Sequence, residues 1–124
     1  MKAILRTVFL AIAIMALAVP ASAGPFEDGL AAYQRGDYST ALQLWQPLAE
    51  QGDAIAQSNL GVMYEFGLGV PQDYVQAHMW FDLAAEQGSK KAQKNRDTAA
   101  SQMTPDQIAE AQRLAREWMA KHQQ

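Results

Sequence analysis

The residues best suited to chemistry are His78, His122 and the serines Ser39, Ser58, Ser89 and Ser101, with a set of carboxylates and no cysteine. An acyl-enzyme mechanism that relies on Ser-x-x-Lys needs lysine three places after its serine. Leu42, Gly61, Ala92 and Thr104 occupy those places here. Neither histidine is read with a second histidine or a carboxylate at metal-ligand spacing. Both are expected in solvent, His78 on the polar side of its helix and His122 in a frayed tail. Glu50, Glu86 and Asp82 are spaced as helix-surface charges, not as a paired-carboxylate acid and base. Gly67-x-Gly69 fails as a dinucleotide loop, because Gln72 stands where the third glycine belongs and nothing before it reads as a strand. The absence of cysteine removes a thiol nucleophile and a thiolate metal site. No catalytic residue, no metal ligand and no cofactor site is expected.

The elements that would position such groups come from an internal repeat. Residues 37–59, DYSTALQLWQPLAEQGDAIAQSN, return at 73–95 as DYVQAHMWFDLAAEQGSKKAQKN, offset by 36 positions. Asp37/Asp73, Tyr38/Tyr74, Ala41/Ala77, Gly52/Gly88, Gln57/Gln93 and Asn59/Asn95 are among the identical pairs. A period of this size marks stacked helical units that cover one another's apolar faces. Ala41, Leu44, Trp45, Leu48 and Ala49 form a helical stripe, and Ala77, Trp80, Phe81, Ala84 and Ala85 repeat it. Asp37 and Asp73 are placed to cap the helix starts, and Gly52 and Gly88 to close the ends in a left-handed turn. Pro47 should kink its helix near Gln43.

A shorter helix lies between the copies, capped by Asp53, with Ala56, Leu60, Met63 and Tyr64 facing inward. Gly61 is costly in a helix interior, which predicts a close helix–helix approach there. An abbreviated version of this unit opens with Leu30-Ala31-Ala32-Tyr33. Residues 89–101 read as a polar helix. Thr104-Pro105-Asp106-Gln107 is a capping box that starts a last helix, with Ile108, Ala111, Ala115, Trp118 and Met119 on its apolar face. Glu110, Arg113, Glu117 and Lys121 form its charged face. Trp45, Trp80 and Trp118 are all expected to pack in the core.

The N-terminus reads as a secretory signal peptide over 1–23. Lys2 and Arg6 precede an apolar run, Val8–Val19, then Pro20 and a small-residue site ending at Ala23. The run is too short to span a bilayer comfortably, so no stable membrane anchor is expected after cleavage. Without a cysteine after the cleavage point, a lipid anchor is excluded. Setting aside Lys2 and Arg6, eight basic residues face 13 acidic ones. That balance argues against nucleic acid or an anionic membrane as partner.

From Ala56 to Gly88 the chain resembles the Sel1-like repeat family, a relative of the tetratricopeptide helix pair with a longer internal loop. The residues that carry the resemblance are Ala56, Leu60-Gly61, Met63-Tyr64, Gly67-x-Gly69-Val70, Asp73, Ala77, Trp80-Phe81, Ala84-Ala85 and Gln87-Gly88. The resemblance implies an all-α fold, a short α/α superhelix of about five to six helices with a C-terminal capping helix. Its units would be an abbreviated repeat at 24–52, a complete one at 53–88, and a half repeat with the capping helix at 89–124. It further implies a non-catalytic adaptor in the envelope, in the periplasm or secreted, that binds another protein or an extended peptide. The alternative is a small exported enzyme or binder acting on cell-wall fragments or β-lactams. The cysteine-rich branch of the family associated with β-lactams has paired cysteines that this chain lacks. The binding surface is expected on the inner face, from the first helix of each unit, near Gln57, Ser58, Asn59 and Gln93. Gln57 and Asn59 recur as Gln93 and Asn95, which also fits a structural role between units. Solenoids need about three units to bury a continuous core. Either the last helix completes a compact bundle, or the protein forms a homodimer or leans on a partner.

Overall fold

The computed structural model describes residues 23–123, so all but the last residue of the expected signal peptide lies outside the described residues. Six helices follow in order: α1 (Pro25–Gln34), α2 (Tyr38–Glu50), α3 (Ala54–Phe66), α4 (Tyr74–Glu86), α5 (Lys90–Ala100) and α6 (Pro105–His122). The described residues form no strand. No helix among them is long and apolar enough to cross a membrane.

The starts are set by side chains that satisfy free backbone donors. Asp37, Asp53, Asp73 and Ser89 accept from the N–H three residues on. Thr104 and Gln107 complete the capping box in both directions. Gly52 and Gly88 close α2 and α4 with φ of 97° and 96°. The α2 helix runs on through Pro47, which sits on its exposed side.

Neighbouring helices pack in chain order from α1 to α5, and α3 also touches α5. α6 then turns back onto α4. It covers the side of α4 that carries Met79, Trp80 and Leu83, and adds Leu114, Ala115, Trp118 and Met119 to the main core. A second core joins Ala77, Phe81, Ala84 and Ala85 of α4 to Ala92 and Ala99 of α5. The last helix therefore closes the bundle along its flank. Its outer face is an ion-pair ladder, with Arg113 between Glu110 and Glu117, and Lys121 on Glu117. Arg113 holds the Glu110 carboxyl below its ordinary range, and Lys121 with Arg113 does the same for Glu117.

Gly61 does mark a close approach. A Cβ there would overlap the Phe81 ring. α1 and α2 use the same device, because a Cβ on Gly29 would overlap the Trp45 indole. Trp45 stacks on Phe26 and lies tilted against Tyr33, and its Nε1–H donates to the Phe26 carbonyl at 3.1 Å.

Candidate functional site

His78 does not lie in solvent. It is 3% exposed, with Nδ1 at 2.9 Å from Asp82 Oδ2. Asp82 is also largely covered and faces Arg96 of α5 at 3.6 Å. The His78–Asp82 contact has ion-pair distance but poor hydrogen-bond geometry, and neither atom has another hydrogen-bond partner. The physical reason is position: α4 packs against α3, α5 and α6, so even the side that sequence reads as polar is covered. Charge compensation from Arg96 is what makes a buried carboxylate tolerable there. Asp82 lines a cleft between α4, α5 and α6, together with Glu86, Arg96, Gln112 and Arg116, while His78 does not. Among the described residues, no three His, Cys, Asp or Glu side chains gather in a way that could hold a metal ion.

His122 is exposed as expected, but the frayed tail is not found. It closes α6 instead of fraying, stacks on Trp118 with ring centres 3.7 Å apart, and places Nδ1 at 2.7 Å from the Trp118 carbonyl. Trp45 and Trp80 are buried as expected, whereas Trp118 is only half-buried.

The expected inner-face residues divide. Gln57 is fully buried, donating to the Ala49 carbonyl at 3.0 Å and accepting from Gln87 Nε2 at 2.9 Å. It ties α3 to the ends of α2 and α4, the structural role its recurrence suggested. Ser58 is 8% exposed and unavailable to a partner. Asn59 is half-buried, and Gln93 is exposed.

What lies on that side is more apolar than these four residues suggest. Ile55, Asn59, Val62 and Phe66 follow one another at helical spacing along the outer side of α3. Ile55 is 63% exposed and Phe66 64%. Beside them Leu30, 40% exposed, and Tyr33 of α1 meet Asn59 and Val62 of α3 and Lys91 of α5 around a cleft of about 200 Å³, with Trp45 in its lining. First helices of successive units thus form one face with an apolar stripe. Single exposed apolar residues are ordinary on a surface; here Ile55 and Phe66 are exposed at the two ends of one helix side, with Asn59 and Val62 half-buried between them. Sequence reasoning missed it because Ile55 and Phe66 lie outside the core stripe and flank residues that recur.

The Sel1 repeat pattern matches residues 22–53 and 54–89, the stretches that contain these helix pairs. The chain belongs to the Sel1 repeat family. Its fold is similar to the crystal structure of c5321, a protective antigen of uropathogenic Escherichia coli strains displaying an SLR fold. The TM-score is 0.74 at 34% identity, over 79% of this chain and 22% of that one. In sequence it is similar to the sel1-like repeat-containing protein L21 of Acanthamoeba polyphaga mimivirus, 45% identical over 47 residues, which is 38% of this chain and 9% of that protein. It is also similar to the ERAD-associated E3 ubiquitin-protein ligase component HRD3 of Candida glabrata, 40% identical over 58 residues, 47% of this chain and 7% of that protein. The chain thus spans less than a quarter of each of these proteins. Short helical arrays of this kind stack by nearest-neighbour contacts and offer extended surfaces to other proteins.

Proposed function

We propose that this Sel1 repeat protein is a non-catalytic interaction module of the bacterial envelope, exported to the periplasm or beyond, and that the α1/α3/α5 face holds an extended segment of another protein. Export rests on the basic, apolar and small-residue order of positions 1–23. The unit plan is an abbreviated repeat at 24–52, a complete one at 53–88, and a half repeat with its capping helix to 124. The observation that carries the binding assignment is the α3 stripe, Ile55 to Phe66, flanked by Leu30 and the small cleft. A relative named as a ligase component is consistent with an adaptor role.

In-cell photo-crosslinking from Leu30, with Glu110 on the far side of α6 as control, tests it. One discrete protein adduct from Leu30 and none from Glu110 is expected. No protein adduct from Leu30, or the same adducts from both sites, overturns the assignment.

A further inference from the structure

Three helices end beside one another on a different part of the molecule. The last turns of α2, α4 and α6 line a groove of about 420 Å³, with Glu50, Gln51 and Gly52 on one wall and Glu86 and Gln87 on another. Leu83, Trp118 and Met119 make it apolar. All three also belong to or pack on the main core, so the groove is an open continuation of that core. Gln87 fixes its width: Nε2 donates to the Gly52 carbonyl at 2.8 Å and to Gln57 Oε1 at 2.9 Å, tying the ends of α2 and α4 together.

The walls are electronegative for two independent reasons. Each helix C-terminus carries about half a negative charge from its aligned peptide dipoles. Glu50 and Glu86 add full charges at the last turns of α2 and α4, and both are exposed. Glu86 makes no ion pair or side-chain hydrogen bond among the described residues, and Glu50 accepts only from the Gln46 amide at 3.4 Å. Of the basic groups in the last turn of α6, Lys121 is already held by Glu117, and His122, which also lines the groove, is stacked on Trp118 with Nδ1 at the Trp118 carbonyl. Residues 24–89 as a whole carry nine acidic side chains against Arg35 alone.

We propose that this groove binds a polypeptide segment in which an apolar side chain is flanked by lysine or arginine. The apolar side chain rests on Leu83, Trp118 and Met119, and the cation lies between Glu50 and Glu86. Charge complementarity selects this occupant, and the volume suits one or two side chains. A second copy fits less well, because its basic helix α5 offers Lys90, Lys91 and Lys94 with no apolar side chain larger than alanine. The groove shares no lining residue with the α1/α3/α5 face. From the reading above it takes only the premise that the partner is a polypeptide, so either surface can fail alone.

The test follows amide and indole N–H shifts by NMR, in purified protein expressed from the full chain. The probes are an end-blocked hexapeptide of alternating lysine and leucine and its glutamate–leucine counterpart. The lysine peptide is expected to shift Gly52, Glu86, Gln87 and the Trp118 indole N–H, and the glutamate peptide is not. Glu50→Gln with Glu86→Gln should weaken binding by about three-fold to ten-fold, as two partly exposed charge pairs allow. Glu27→Gln with Asp106→Asn, which removes the same charge elsewhere, should leave it unchanged. Shifts confined to other surfaces, an equal loss in the control pair, or groove shifts that follow protein concentration without peptide would each overturn the proposal.

Discussion

In the α1/α2 pair, Gly29 lets the Trp45 indole lie against the first helix; in the α3/α4 pair, Gly61 does the same for the Phe81 ring. The connections differ. α1 and α2 are joined by three residues, Arg35–Asp37, and α3 and α4 by seven, Gly67–Asp73. The longer loop reaches back to the preceding pair. Leu68 packs on the main core, and a Cβ on Gly69 would sit 2.9 Å from the Tyr38 carbonyl carbon. Gly36 in the short loop has nothing within 4 Å of such an atom. The glycine-rich loop is thus an inter-unit contact as well as a turn, whereas among the described residues nothing crowds Gly36 of the short loop.

Removing the aromatic wedges should have the largest effect. Phe81→Ala and Trp45→Ala should each cost about 3–5 kcal/mol, read as a fall in urea midpoint, because each empties a fully packed site. Trp45→Phe separates the two wedges: it should cost about 1 kcal/mol for the lost bond to the Phe26 carbonyl. A negligible cost for either alanine variant would break the equivalence of the two pairs.

The loops come next. Both Gly36 and Gly69 have left-handed φ, 79° and 73°, so alanine at either should cost about 1–2 kcal/mol in backbone strain. Gly69→Ala should cost at least about 1 kcal/mol more, from overlap with the Tyr38–Ser39 backbone. Equal thermal shifts would mean that the long loop does not bear on α2.

The smallest effect concerns Glu65, 7% exposed at the end of α3, where Gln72 of the long loop donates to its carbonyl at 2.7 Å. Burial pushes the Glu65 carboxyl above its ordinary value of 4.5, so folding favours the protonated form. The stabilisation from that preference is present below pH 4.5 and is lost as pH rises through the higher folded value. Glu65→Gln should therefore raise the denaturation midpoint at pH 7 relative to the parent, and the gain should shrink at pH 4. A gain that is the same at both pH values would locate its cause outside the carboxyl.

Much of this architecture is legible in the sequence because it depends on local rules. Capping by Asp37, Asp53, Asp73 and Thr104 needs only a side chain and an N–H three residues away, and the repeat at 37–59 and 73–95 shows the helix spacing directly. The close approach at Gly61 is likewise signalled by a glycine where helix propensity argues against one. What the tertiary structure alone decided is which faces are covered. His78 is buried and Asp82 largely covered because α5 and α6 both pack on α4, and Ser58 is buried because α3 is enclosed by its neighbours. The α3 stripe and the groove at the three helix ends depend on how far each helix is shielded by others distant in sequence. A helix's periodicity shows that it has an apolar face; the number of helices packed around it determines whether its remaining faces meet solvent, and that number is set by non-local packing.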